Sequence, residues 1–297
     1  MGFRSSNCGW SSMSKRRAVI FINPSRSEAV VAAEELAALL TEENFELVTP
    51  TEVAVRNIEQ VSIDSIGDVE VAVVLGGDGT ILRGAEVTLL REIPLLGINL
   101  GHVGFLAEVE KPSISAIAES IVDKSYVYEN RMVLGYSVQR NGQEISQGWA
   151  LNEITVERDS TTMVELFVEI DRRPLSHWGC DGLICSTPTG STAYAFSAGG
   201  PVLWPEIDAL LLLPISAHAL FSRPMVVSTK SEIVVTVESP VALLSADALR
   251  KLPLVAGDRV VITRNPHVIK LAHVNPTLFT DRLVAKFKLP VEGWRGE

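Results

Sequence analysis

The sequence predicts an α/β domain on a mostly parallel open sheet, then an all-β domain from about residue 125, and a late helix that returns to the first domain. Three observations carry this. Up to Val122, β-branched apolar runs alternate with helical repeats, the pattern of strands connected by helices. From Tyr126 onward the chain breaks into short alternating segments divided by turn residues, which is the pattern of antiparallel β structure. Between Leu278 and Phe287 helical spacing reappears.

Taken in order, Ala18 to Ile22 is a strand that stops at the turn Asn23-Pro24-Ser25. Ala29, Val30, Ala33, Leu36, Ala37 and Leu40 then mark a helix with Ser27 as its expected N-cap. Phe45 to Val48 is a second strand, and the stretch from Pro50 to Asp68 is mixed. Val69 to Leu75 reads as a buried strand, followed by Gly76-Gly77-Asp78-Gly79 and a helix over Thr80 to Leu90. Pro94 to Asn99 is another strand, ending in a second glycine-rich loop, Leu100 to Leu106, where His102 reads as structural and Phe105 as the loop's anchor. Pro112 to Val122 is an amphipathic helix. In the β region Asn141-Gly142 is a hairpin turn, and Val133 to Val138, Ile154 to Val156, Met163 to Ile170, Glu232 to Val237 and Arg259 to Thr263 are strands. The expected division is a flexible extension over 1–14, an α/β domain over 15–125, a β domain over 126–268 and a returning segment over 269–297, with Thr280 as cap of its helix.

Composition narrows the function. The 297 residues are 46% hydrophobic and 21% charged, ordinary for about two globular domains. A net charge of −10 argues against nucleic-acid or anionic-membrane partners, but leaves room for a local cationic pocket that takes a phosphorylated metabolite. No apolar run approaches the ~18 residues of a membrane span. The longest, Ala209 to Ile215, contains Pro214. Met1 to Ser12 lack the apolar core of a secretion signal, Met13 is a second candidate start, and Cys8, Cys180 and Cys185 fit a reducing cytoplasm better than a disulfide framework.

Two stretches carry the chemistry. At Gly76 to Thr80, glycines at a strand-to-helix turn are expected to take positive φ and to leave room for a ligand against bare amides. Asp78 would repel a phosphate there unless a cation or a proton transfer intervened, so the turn suggests phosphoryl chemistry. In the second, a strand Gly182 to Cys185 runs into Ser186 to Thr192, where five of seven residues carry hydroxyls. Ser191 or Thr192 could cap a short helix from Thr192 to Ala198 that stops at Gly199-Gly200-Pro201, and the remaining hydroxyls point to a polar ligand such as a nucleotide.

In order and separation, Gly76-Gly77-Asp78-Gly79-Thr80, the loop Gly101 to Phe105, the pair Asn152-Glu153, and Asp181-Gly182-Leu183-Ile184 with Ser186 to Tyr194 and Gly199-Gly200-Pro201 resemble the NAD kinases. His218 with Arg223-Pro224 resembles a downstream segment of that family, and the close from Phe279 to Gly296 is similar to actinobacterial members. The resemblance runs from about Ala18 to Gly296. It implies a Rossmann-like open sheet and a β-sandwich. It also implies transfer of a phosphoryl group from ATP, or from inorganic polyphosphate, to the 2′-hydroxyl of the adenosine ribose of NAD. Asp78 would be the general base, and Mg²⁺ or another divalent cation would screen the donor without fixed protein ligands. Asn152 and Glu153 would hold the adenine and ribose edges, and Asp181 the nicotinamide end. Gly79, Thr189, Thr192, Ala193, Tyr194 and Ser197 would line the NAD pocket with Phe105 over it, while Gly76, Gly77, Gly79 and Thr80 would take the donor phosphates. Because the family forms dimers and tetramers, the resemblance implies a cytoplasmic homo-oligomer.

The chain departs from the family pattern at Asp247-Ala248, where Asp-Gly is expected, which puts that hairpin and its contacts in question. A lipid kinase with the same glycine turn would not need the hydroxyl-rich run, and a non-catalytic NAD(P)-binding regulator would not need to keep Asp78. His177, Cys180 and Cys185 lack a fourth zinc ligand, and along one strand the two cysteines would face opposite sides, so they read as buried thiols.

Overall fold

The computed structural model describes residues 15–98, 100, 104–106 and 113–291. The extension with Cys8 and Met13, His102 with its neighbours Gly101 and Val103, Asn99, and Gly293 to Gly296 lie outside the described residues. The first part alternates β1 (Arg16–Ile22), α1 (Ser27–Glu42), β2 (Phe45–Thr49), β3 (Glu59–Gln60), β4 (Val71–Leu75), α2 (Asp78–Arg91), β5 (Leu95–Ile98) and α3 (Ile114–Asp123). Its strands pair in parallel in the order β3-β2-β1-β4-β5.

Side chains of β1 alternate between the sheet's two faces. Ala18, Ile20 and Ile22 pack with Leu36 and Leu40 of α1 and Ile117 of α3, while Val19 and Phe21 pack with Ile81, Ala85 and Leu89 of α2. Each fully buried Leu or Ile contributes roughly 1.5–3 kcal/mol, so helices are held on both faces. Helix starts differ slightly from expectation. Ser27 is the first residue of α1, with Arg26 at the cap position and no side-chain cap bond. Likewise α2 begins at Asp78, with Gly77 as cap.

The second part comprises β6 (Val127–Arg140), β7 (Gln143–Ala150), β8 (Glu153–Glu157), β9 (Val164–Ile170), β10 (Arg173–Cys180), β11 (Gly182–Ser186), the short α4 (Tyr194–Ser197), β12 (Ala209–Ile215), β13 (Met225–Ser228), β14 (Ile233–Val237), β15 (Val241–Ala246), β16 (Arg250–Val255) and β17 (Arg259–His273). Then α5 (Phe279–Phe287) follows. Asn141 and Gly142 both take positive φ, 52° and 77°, as a two-residue hairpin requires. Strands β13-β12-β11-β8-β15-β16 form an antiparallel sheet. It packs on β9, β10, β14, β6 and β17 through Ile154, Leu166, Trp178, Leu212, Leu244 and Ile262, which makes a β-sandwich.

Cys180 and Cys185 both face this core, contrary to the opposite sides expected of a single strand. The chain leaves one sheet after Cys180 and enters the other at Gly182, so the alternation restarts at Asp181. Burial pushes both thiols up to about 12.

Strand β17 joins the two parts. It lies antiparallel along β6 from Arg259 to His273, with a register shift between Arg264 and Val268. On its other side it pairs first with β14 and then, at Leu271 and Ala272, in parallel with β5. The division expected at 268/269 therefore falls inside a strand, and one sheet runs through both parts. Helix α5 starts after Leu278, one residue before the expected cap Thr280, and lies against the first part through Phe105. No helix among the described residues is long and apolar enough to cross a membrane.

Candidate active site

Neighbouring strands β1 and β4 send their following helices to opposite faces of the sheet, so their carboxyl-terminal loops diverge and leave a crevice. A cleft of about 570 Å³ occupies that point. Its walls are Asn23, Pro24, Ser25 and Arg26 after β1, Thr51 after β2, and Gly77, Asp78, Gly79, Thr80 and Arg83 on α2 and its approach. Leu249 of the distant β15–β16 turn closes one side. Among the described residues of these walls Asp78 is the only carboxylate, and it shares them with two arginines.

The glycine turn works differently from its sequence reading. None of Gly76, Gly77 and Gly79 takes positive φ; Gly77 lies at −96°. Their value is space. A Cβ at Gly77 or Gly79 would meet nothing within 4 Å, so the cleft floor there is bare backbone, and the first-turn amides of α2 point outward beside it. Gly76 is not among the walls, and its amide donates to the Ile98 carbonyl at 3.1 Å. Asp78 Oδ1 is buried without a hydrogen-bond partner, pressed against Gly104 of the second glycine loop, where a Cβ would overlap the carboxylate. An unpartnered buried carboxylate oxygen is costly unless something else uses it.

The other expected residues gather around the Asn152-Glu153 turn in the β-sandwich. The Asp247 carboxylate accepts the backbone amides of Leu151 at 2.8 Å, Asn152 at 2.7 Å and Glu153 at 3.3 Å, which clamps this turn. Glu153 is 7% exposed, and its Oε2 has no partner. Burial, with the Asp247 charge alongside, pushes its carboxyl up to about 8 against one hydrogen bond from the Tyr194 amide.

The hydroxyls of Ser186, Thr187 and Ser191 in the second stretch turn inward, contrary to the expectation that every hydroxyl beyond the helix cap faces a ligand. Ser186 Oγ donates to the Asn152 carbonyl, Thr187 Oγ1 to the Leu151 carbonyl, and Ser191 Oγ to the Pro188 carbonyl while accepting from the Leu203 amide. Ser186 and Thr187 staple the loop to the backbone of Leu151 and Asn152, and Ser191 ties it to Leu203. Gly190 belongs to the same packing, since a Cβ there would strike the Asn152 carbonyl. The expected helix from Thr192 to Ala198 is instead a 3₁₀ turn, Thr189–Thr192, and the single turn α4, broken at Ala193 and without a side-chain cap.

Of the remaining predicted residues, Ala193 and Thr192 are half-buried, and Tyr194 and Ser197 are exposed on the same short segment. The Tyr194 hydroxyl donates to Glu157 at 3.3 Å. Asp181 is half-buried and paired with Arg158 at 2.8 Å. Phe105 is buried, packed on Phe279 and Phe287, so it serves as the anchor of its loop beneath α5 and not as an open stacking face. Thr189 is buried and accepts from Arg131 at 3.4 Å. Arg131 in turn grips Glu129, which also binds His273 at 2.9 Å and Arg282 at 3.2 Å. Burial opposes the Glu129 charge, but the His273 hydrogen bond and both arginines hold its carboxyl well below the usual range. Because Arg282 also donates to the Phe105 carbonyl, this network ties the Phe105 loop to Thr189.

The missing glycine at 248 does not dissolve its hairpin. Asp247 and Ala248 take φ of 53° and 57°, a two-residue left-handed turn, and Asp247 keeps its three amide contacts.

Comparison with known proteins agrees with this arrangement. Residues 18–126, which carry the Asp78 cleft, match the ATP-NAD kinase N-terminal domain, and residues 151–274 match the ATP-NAD kinase C-terminal domain. NAD kinase 2 of Streptomyces avermitilis is 47% identical over 261 residues, covering 87% of this chain and 86% of its own. The chain belongs to the NAD kinase family. NAD kinase of Thermobifida fusca is 44% identical over 289 residues, 94% of this chain and 87% of its own. An NAD kinase from Archaeoglobus fulgidus, solved in complex with ATP, superposes with a TM-score of 0.69 at 27% identity, over 92% of this chain and 98% of that one. This family membership makes the chain a phosphotransferase, with the two matched domains contributing the two clusters just described.

For an NAD kinase, the sequence reading named most of the turn residues but missed their supports. Arg83 alone had a signal, a cation less than two turns along the helix that Asp78 opens. Arg26, Glu86, Glu129, Arg131, Leu249 and Arg250 belong to no motif, and only folding brings them to the site.

Proposed function

We propose that this enzyme phosphorylates the 2′-hydroxyl of the adenosine ribose of NAD with ATP, inorganic polyphosphate being the alternative donor. The observation that carries the reading is Asp78: a carboxylate with an unpartnered buried oxygen, on bare backbone, at the switch point of an open sheet, beside Arg26 and Arg83. The arginines and the first-turn amides of α2 supply cationic and donor groups for the phosphates of the donor, with Gly77, Gly79 and Thr80 as the floor. Mg²⁺ bound to the donor would screen the charge of its phosphates beside Asp78. Among the described residues no group of three His, Cys, Asp or Glu is arranged to hold a metal.

The acceptor rests on Asn152 and Glu153, whose amide and carboxylate match adenine and ribose hydroxyls, with Asp181 toward the nicotinamide end and Thr189, Thr192, Ala193, Tyr194 and Ser197 around it. In the transfer step the 2′-oxygen forms its bond to the γ-phosphorus as the bond to the β,γ-bridging oxygen breaks and ADP leaves. The hydroxyl proton passes late to Asp78. Residues 15–125 thus serve the donor and the β-sandwich the acceptor, with the end of β17 and α5 bracing the seam, and the working form is a cytoplasmic homo-oligomer.

The test is direct. Purified protein with NAD, Mg²⁺ and either ATP or polyphosphate should yield NADP, read by a coupled dehydrogenase. NAD binding without NADP from either donor would make it a regulator. Asp78→Asn should lose at least a thousandfold in kcat while still binding NAD; an active variant removes Asp78 from the base role.

A further inference from the structure

The donor cleft and the acceptor turn lie on different parts of the chain, and one hairpin touches both. Strands β15 and β16 meet at Asp247-Ala248-Leu249. On one side of this turn Asp247, 4% exposed, accepts the amides of Leu151, Asn152 and Glu153. On the other, Leu249 forms a wall of the Asp78 cleft. Arg250, the next residue, reaches the helix that Asp78 opens: its Nη2 donates to Glu86 of α2. The same guanidinium lies over the Trp149 ring, its carbon 4.1 Å from the ring centroid, donates through Nη1 to the Trp149 carbonyl at 2.7 Å, and stands 3.8 Å from Asp247.

We infer that Glu86, Arg250 and Asp247 form a strut that sets the distance and angle of α2, and hence of Asp78, against the Asn152-Glu153 turn. They are positioning residues for phosphoryl transfer across the seam, an inference that rests on the NAD kinase reading. Each link suits a rigid spacer. The guanidinium is a planar fork, fixed at once by a stacked ring, a backbone carbonyl and a carboxylate, so it cannot swing as a lysine would. Asp247 fixes backbone and not side chain, so the acceptor turn moves only if the hairpin moves. Glu86 lies two turns beyond Asp78 and is not among the walls of the Asp78 cleft. Misplacing two reactants by an ångström is felt mainly in the transition state, so loosening the strut should lower turnover and leave each half-site's own affinity intact.

Glu86→Gln keeps the side chain's size and removes the charge that grips Arg250. The expected result is a kcat at least tenfold below the parent enzyme, with KM for each substrate and the Kd for NAD, measured calorimetrically without donor, all within twofold. A Tm within about 3 °C of the parent would show that the effect is not lost folding. Arg250→Lys keeps the charge but cannot stack and fork together, and should lose at least threefold in kcat with the same unchanged affinities; it decides the matter if Glu86→Gln does not fold. A kcat within twofold of the parent, a loss confined to NAD affinity, or a loss matched by the unfolded fraction overturns the strut. Failure of the parent enzyme to make NADP from either donor would instead overturn the functional reading, so the two failures are distinct.

Discussion

Replacing Glu153 by Gln should change how stability depends on pH, and the size follows from the site. Burial and the neighbouring Asp247 raise the folded-state carboxyl to about 8 from an ordinary 4.5. A raised acid holds its proton in the folded chain at pH values where the unfolded chain has released it. The contribution of Glu153 to stability therefore falls as pH climbs from about 4.5 to about 8 and is flat outside that window. A difference of about 3.5 units, at about 1.36 kcal/mol each, places about 5 kcal/mol on this one group when it is fully ionised, of which about 3.5 kcal/mol is lost between pH 5 and pH 8. Urea unfolding of parent and Glu153→Gln at half-unit steps should give curves that converge or cross with that slope, the parent losing ground as pH rises. Parallel curves would refute the argument. The same proton bears on ligand binding. A carboxylate that accepts two ribose hydroxyls must be ionised, so NAD binding at pH 7 should release about one proton, seen as a buffer-dependent heat, and affinity should rise tens of fold from pH 6 to pH 8. A buffer-independent heat would remove Glu153 from that role.

Other outcomes follow from single residues. Ala248→Gly relieves an L-residue at φ 57° and should stabilise the protein by about 0.5–1 kcal/mol, a rise of about 1–2 °C in Tm by calorimetry, with Asp247's contacts unchanged. Arg83→Ala removes one of two cations in the Asp78 cleft and should raise KM for the phosphate donor about tenfold or more while leaving NAD affinity within twofold, measured by initial rates and calorimetry. Cys180 and Cys185, fully buried and with thiols held protonated, should resist alkylation at pH 8 in the native protein and label only after unfolding, as peptide mass mapping would show.

What the sequence revealed, and what it concealed, divides along a physical line. Val71 to Leu75 and the helix after Gly77 were legible because burial and periodicity are local properties. The turn at Asn141-Gly142 was legible because its conformation admits few residues. The hydroxyls of Ser186, Thr187, Ser191 and Thr192 do more than cap a helix, yet their partners are the carbonyls of Leu151, Asn152, Pro188 and Thr189, and no local pattern says whether a hydroxyl serves a ligand or the chain itself. Glu86 and Arg250 stand 164 positions apart and meet only because an α2 face and a hairpin edge come together. Ala248 misled in the opposite direction, since the tolerance of a left-handed turn depends on what holds it, here the amides gathered by Asp247.

Strand β17 bears on how the chain is assembled. Parallel strand β5 has β4 on one side and, on the other, Leu271 and Ala272, about 175 residues later in the chain. A nascent chain emerging from the ribosome can close β3-β2-β1-β4-β5 early, but β5 then offers an open edge until nearly the whole polypeptide has been made. The first domain begun is thus the last completed. A polypeptide stopped before Arg259 would carry that unpaired apolar edge permanently, and should be recovered as aggregate where the full chain is recovered folded.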